Sequence, residues 1–232
     1  MSKSLLIYGA EGATGSRLVD LALERGHCVR AAHTPGPPPD RSHPNLEWVA
    51  ADLMAPEGLA HQMDGLDAVL NAVGIDAGVK TAVCPPKLHT EGTLNLILAM
   101  RAASVDRLVT ISASFVETLD RGPIWFRAAA ATGLRAIFDQ MAEMERLLRA
   151  TETLRWTAVR PGWLLDEAMS GDYQTFERVI PPSLIRTRTG DLAAFMLRCV
   201  EEDLHVRETP AIARAEDPSK SGPDAVLREM IG

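Results

Sequence analysis

The stretch Leu5–Val19 constrains the fold more than any other. An apolar run, Leu5-Leu6-Ile7-Tyr8, ends in glycines spaced three and three: Gly9, Gly12 and Gly15. A helical pattern follows at once, with Leu18, Leu21, Ala22 and Arg25 at helix spacing and Gly26 placed to close it. Strand, glycine turn and helix in that order are the context a dinucleotide fingerprint requires. Each glycine has its own reason. Gly9 lets the chain turn off the strand, Gly12 removes a Cβ where a pyrophosphate approaches, and Gly15 lets helix and strand pack closely. The backbone N–H groups at Ala13, Thr14 and Gly15, with the helix dipole, favour an anion there.

The chain has 232 residues, 46% hydrophobic and 24% charged, which suits one globular domain with a full core. Its net charge is −7 and it has no basic run, so nucleic acid is not an expected partner. The apolar run before Gly9 is too short for a membrane span or a secretory core. Cys28, Cys84 and Cys199 are scattered and odd in number, which reads as reduced thiols in a cytoplasmic protein. No metal-ligand spacing is present.

Further strands are expected at Cys28–His33, Leu46–Ala50, Leu66–Asn71, Arg107–Ile111, Trp156–Arg160 and Thr209–Ala213. Helices are expected from Pro56 to Met63, Lys87 to Ala103, Ala136 to Ala150 and Gly190 to about Glu202. Phe115–Thr132 reads as a loop turning helical, and Asp166–Pro182 as an irregular cap over the site. The alternation implies an α/β fold: a Rossmann-like, doubly wound parallel sheet. Residues 1–214 form one domain, with about 160–212 a small covering region on the substrate side, and 215–232 a tail.

Ligands of such sheets bind at the carboxyl ends of the strands. The residues standing there are Gly9 to Gly15, His33-Thr34, Asp52-Leu53, Asn71-Ala72-Val73-Gly74, Ser112, Ser114 and Pro161-Gly162-Trp163. Asp52 is placed to accept from an adenine amino group and Leu53 to lie on the ring. The small residues after Asn71 leave room for a ribose. Ser112 and Ser114 are placed to orient an acceptor carbonyl, and Phe115 and Trp163 to sandwich its ring. His89, in the first turn of its helix, reads first as a surface residue. An acid ending the second strand would bind the 2′-hydroxyl of NAD, but His33 and Thr34 stand there. With His33, Arg30 and Arg41 as basic candidates, the balance favours NADP(H) slightly over NAD(H).

These pieces resemble the atypical short-chain dehydrogenase/reductases, in their NAD(P)H-binding, NmrA-like branch. The matching motifs are Gly9-x-x-Gly12-x-x-Gly15, Ala51-Asp52-Leu53, Glu91-Gly92-Thr93 with Asn95-Leu96-Ile97, Leu108–Ser112, Trp156–Gly162 and Gly190-Asp191-Leu192-Ala193. The resemblance spans residues 4 to 212 and implies a flavin reductase of the biliverdin-IX-beta type, a quinone reductase, or a redox sensor. Two positions depart from it. Thr34 stands where the branch often carries an Arg for the 2′-phosphate. The superfamily's Tyr-x-x-x-Lys proton donor is absent: Tyr8 and Tyr173 are followed four residues on by Gly12 and Glu177, and Met141 takes the lysine's place.

A ketone reduced by hydride needs a positioned acid. A flavin or quinone spreads its charge and takes its proton from water. The expected activity is therefore NAD(P)H-dependent hydride transfer to a small conjugated acceptor. The alternatives are a cofactor-binding redox sensor without turnover and, less favoured, an isomerase or epimerase. Oligomeric state is left open by the sequence.

Overall fold

Strand β1 (Ser4–Tyr8) lies at the middle of the sheet, and its alternating side chains define two core layers. Leu5 and Ile7 enter one layer; Leu6 and Tyr8 enter the other. All four are buried, as a parallel strand covered on both faces requires. The computed structural model describes residues 1–75, 85–118 and 134–221.

The remaining sheet strands are β2 (Cys28–His33), β3 (Leu46–Ala50), β4 (Ala68–Asn71), β5 (Arg107–Ile111), β6 (Arg155–Pro161), β8 (Gln174–Phe176) and β10 (Ala211–Ala213). Their order is β3-β2-β1-β4-β5-β6-β10-β8. Every pair is parallel except β10 with β8. The chain winds outward from β1 to β3, then returns to β4 on the other side of β1. The register sets Ile7 opposite both Ala31 and Leu70. The reversal puts the topological switch point between β1 and β4, at the strand ends where doubly wound sheets bind ligands.

Helices α1 (Ala13–Glu24) and α5 (Thr189–Glu201) cover one face; α2 (Thr93–Ala102) and α4 (Arg135–Ala150) cover the other. Met144 of α4 is fully buried, so the methionine fills core. A short helix, α3 (Phe115–Thr118), follows β5, and β7 (Trp163–Leu165) pairs in parallel with β9 (Arg186–Arg188) beside the main sheet. Among the described residues no helix is long and apolar enough to cross a membrane.

Several expectations shift. The helix expected from Pro56 reduces to a 3-10 turn at His61–Met63. The helix expected from Lys87 begins as a π turn, Leu88–Gly92, whose wider coil brings His89 and Gly92 inside. Most of the region expected as a loop turning helical, at 119–133, lies outside the described residues, as does Cys84. The polar link expected after residue 214 is fastened: Glu216 binds Arg188 and Arg214, and Arg186 donates to the Lys220 carbonyl in α6 (Pro218–Ser221).

Candidate active site

The glycine turn and the β4 end are pressed together. Gly9 has φ +73°, and a Cβ there would stand 2.7 Å from the carbonyl carbon of Ala72. A Cβ on Gly15 would overlap the Gly9 carbonyl oxygen and stand 2.6 Å from its carbon. Those two glycines are required by packing. Gly12 is not: it is exposed, and a Cβ there meets only the Gly9 oxygen at 3.4 Å. The helix ladder starts with the Ser16 N–H on the Gly12 carbonyl at 2.8 Å. The N–H groups of Ala13, Thr14 and Gly15 precede it, with no side-chain cap and no acid in the first turn. This cradle fits a dinucleotide pyrophosphate: donors are present, and Gly12 is small for no reason internal to the fold.

Asn71 is buried, donates to Thr110 Oγ1 at 3.2 Å and accepts the Val73 N–H at 3.2 Å. It fixes the shape of the β4 end, where Ala72, Val73 and Gly74 flank the crevice, and its own side chain is spent in doing so. Asp52 is exposed after β3, and its Oδ1 accepts the Met54 N–H at 2.8 Å, closing a local turn. Leu53 is buried in the α2-side core, its carbonyl held by Asn95 at 2.8 Å. It offers little surface to a ring.

At the β2 end the basic candidates are committed elsewhere. His33 is buried, donates from Nδ1 to the Thr34 carbonyl at 2.8 Å and packs edge-on to Trp48. Arg30 binds Glu47 and the carbonyls of Gln62 and Asp64, and Arg41 pairs with Asp20. The slight preference for NADP(H) drew on the lack of an acid ending β2 and on these three residues, which are engaged with other partners here. What does reach this strand end is a carboxylate. Glu11 Oε2 accepts the Thr34 N–H at 2.9 Å and the Thr34 hydroxyl at 3.2 Å.

Ser112 and Ser114 do not face the crevice. Both are fully buried. The Ser112 hydroxyl donates to Glu145 Oε1 at 2.8 Å, and that of Ser114 to the Arg160 carbonyl at 2.9 Å. The role of orienting an acceptor, and for Ser112 of touching the cofactor, is therefore corrected to a structural one. Their neighbour is an internal ion network that the sequence reading did not find. Glu145 of α4 accepts from Arg160 Nε at 2.7 Å and Nη2 at 2.5 Å, and from Arg149 at 2.9 Å. Arg160 also pairs with Glu117 at 2.8 Å, which Arg178 meets at 2.7 Å. Burial works against the Arg160 charge, but Glu145 and then Glu117 outweigh it and raise its pKa.

Pro161, Gly162 and Trp163 join β6 to the small sheet. Gly162 has no room for a Cβ, which would lie 2.6 Å from the Ile185 carbonyl oxygen, and its N–H reaches Thr187 Oγ1 at 2.8 Å. Trp163 is half-buried in the same apolar cluster as Phe115. Beside them opens a cavity of about 260 Å³, lined by Phe115, Thr118, Phe176, Val179, Ile180 and Ile185. The segment expected as a cap thus supplies one wall of it, and among the described residues none that lines it is ionisable. Gly190 and Asp191 anchor that segment. A Cβ on Gly190 would stand 2.6 Å from the Ala168 carbonyl carbon, and Asp191 accepts the N–H groups of Ser170 at 2.7 Å and Gly171 at 3.1 Å, and the Ser170 hydroxyl.

Other reactive groups stand apart from the cavity. Tyr8 is buried in the sheet core, where burial raises its pKa, and Tyr173 packs on Phe195. Burial pushes His89 down to about 4, leaving its Nε2 without a partner among the described residues. Cys199 is buried and pushed up to about 12, while Cys28 is exposed. Among the described residues no three His, Cys, Asp or Glu side chains gather as a metal site.

Comparisons with known proteins agree with this geometry. A family model described as NAD(P)H-binding matches residues 9–203. An uncharacterised chloroplastic protein of Arabidopsis thaliana is 28% identical over 231 residues, covering 96% of this chain and 81% of the other. A 3-diazoavenalumate denitrifying reductase of a Streptomyces species is 32% identical over 163 residues, 64% of this chain and about half (52%) of the other. Among solved structures, a candidate NADH-flavin reductase from Streptococcus pneumoniae superposes with a TM-score of 0.72 at 20% identity, over 92% of this chain and 100% of that one. The fold, the glycine cradle and the family match agree: the chain belongs to the NAD(P)H-binding family that this model describes.

Proposed function

We propose that this protein is an NAD(P)H-dependent reductase of a small conjugated acceptor, of flavin or quinone type. The observation that carries the proposal is the cavity beside the β5 and β6 ends, whose lining among the described residues is apolar and without an ionisable side chain. Bound in the crevice, NAD(P)H would supply the hydride. The chain's own part is positional. The Ala13, Thr14 and Gly15 N–H groups hold the pyrophosphate, and the β4 end leaves space for a ribose. Phe115, Phe176, Ile180 and Ile185 hold a flat apolar ring and exclude water from its faces. Placing two reactants in register supplies much of the acceleration such a transfer needs. Among the described residues no side chain on these walls is an acid able to protonate an alkoxide, which disfavours simple ketones. A conjugated acceptor leaves as a delocalised anion and takes its proton from solvent. The names of the Streptococcus and Streptomyces proteins, a flavin reductase and a denitrifying reductase, support a reductase.

One observation favours the alternative of a cofactor-binding regulatory protein without turnover: Ser112 and Ser114 are both spent inside the fold. The two readings separate in one assay. Oxidation of NADH and NADPH is followed with FMN, riboflavin and a benzoquinone, beside a Gly12→Val control. Turnover above the control, reduced in Phe176→Ala with cofactor affinity unchanged, supports the reductase. Cofactor binding without turnover on any acceptor supports the regulatory reading.

A further inference from the structure

The crevice carries an acid that sequence spacing does not reveal, and it bears on which cofactor enters. In doubly wound sheets the adenosine ribose lies at the carboxyl end of β2, where an acid on the strand usually accepts from its 2′-hydroxyl. Here β2 ends in His33 and Thr34, and neither is an acid. Glu11 reaches the same place from the glycine turn. Its Oε2 is tied to the Thr34 N–H at 2.9 Å and to the Thr34 hydroxyl at 3.2 Å. The residue is exposed, and Oε1 has no partner among the described residues. The cations that would welcome a 2′-phosphate are engaged: Arg30 with Glu47 and two carbonyls, Arg41 with Asp20. His33 is turned into the core against Trp48.

We propose that Glu11 is the cofactor-selecting residue, accepting from the ribose hydroxyls of NAD(H) and excluding the 2′-phosphate of NADP(H). The tether to Thr34 matters to the argument. A carboxylate on a free side chain would swing away from an incoming phosphate. One held by two hydrogen bonds at the strand end stays, and presents Oε1 outward. A ribose hydroxyl donates to that oxygen, forming a charge-assisted bond. A phosphate has no donor to offer it and adds like charge, while Arg30 and Arg41 are already paired with Glu47 and Asp20. The proposal rests on the cofactor reading above and narrows it.

The test is calorimetric titration of the full chain with NADH and NADPH, in wild type, Glu11→Gln and Glu11→Ser. Wild type is expected to bind NADH at least about tenfold tighter than NADPH, since loss of one charge-assisted bond plus repulsion is of that order. Both variants should narrow the ratio severalfold, with NADPH affinity rising in each. If Glu11 merely buttressed the Thr34 loop, both cofactors would weaken together and the ratio would hold. That result overturns the proposal, as does a wild-type ratio near one or in favour of NADPH. In either case the binding reading survives. Failure of both cofactors to bind wild type overturns that reading itself, and this proposal with it. Glu11 is exposed, so both variants should melt within a few degrees of wild type, which a thermal scan checks.

Discussion

Gly12→Ala should separate cofactor binding from folding. Gly12 is the helix N-cap with φ −76° and ψ 166°, a conformation alanine adopts freely. Alanine in place of glycine at an N-cap costs about 0.5–1 kcal/mol. Reduced freedom of the unfolded chain returns about 0.4–1 kcal/mol. The new methyl meets only the Gly9 oxygen, at 3.4 Å, so no clash is added. The melting temperature should therefore stay within about 2–4 °C of wild type. The methyl does occupy the face toward which the Ala13, Thr14 and Gly15 N–H groups open. Losing one charge-assisted hydrogen bond to a phosphate costs about 1.5–3 kcal/mol, roughly tenfold to a hundredfold in Kd. Gly15→Ala reverses the pattern. Its Cβ overlaps the Gly9 carbonyl, so β1 and α1 must separate, at a cost of about 1–3 kcal/mol or more. The assay pairs a thermal scan with calorimetric titration of NADH for both variants. A Gly12→Ala protein that binds NADH like wild type would refute the placement of the pyrophosphate at this turn.

Four further outcomes follow from the buried polar groups. The folded state holds His89 at about 4 against an ordinary 6.5, so the unfolded chain takes up the proton first as pH falls. Stability is thus full above pH 6.5 and is lost down to about pH 4, by about 3 kcal/mol from this group; denaturant melts at pH 7 and 4.5 should show a smaller difference in His89→Leu. Glu145→Gln leaves the Arg160 guanidinium without its buried counter-charge and should cost about 3–5 kcal/mol; Ser112→Ala should cost only about 1 kcal/mol and leave NADH affinity unchanged, both read by denaturant melts and titration. Asp191→Ala removes three hydrogen bonds from the 170–171 loop, destabilising by at least about 1.5–3 kcal/mol and speeding proteolytic cleavage near Ser170.

The glycine turn was legible because its geometry is written in backbone. Gly9 and Gly15 are forced by close approach and Gly12 is spare, and a three-residue spacing next to an apolar run conveys all of that. The strands of the parallel sheet were legible for the same reason, since burial on both faces leaves them uniformly apolar. Side-chain aim was not. A serine after a strand reads alike whether its hydroxyl enters a crevice or meets a carboxylate from a helix 33 residues on, as Ser112 meets Glu145. Glu145 sits among Asp139, Glu143 and Arg146 in sequence and looks like one more solvated charge, yet it is 1% exposed because Arg160 comes to it from β6. Glu11 stands in the glycine turn and not on β2, and nothing local in the sequence ties it to Thr34, 23 residues on. The three-residue strands β7, β8 and β9 carry too few residues to show a period.

The wall of the apolar cavity has a mechanical consequence. Its chain leaves β6 at Gly162, which is gripped by Thr187, and the clasp of Ser170 and Gly171 on Asp191 divides it. Arg17 of α1 holds Asp166 at 2.8 Å and Thr189 at 2.9 Å, so the helix that faces the cofactor also carries one end of the clasp. Residues 172–185 run between these supports and are held on the way by the pairing of β8 with β10 and by Arg178 on Glu117. Exchange of Phe176, Val179 and Ile180 in this span is expected to reshape the cavity while the supports and the glycine turn stay in place.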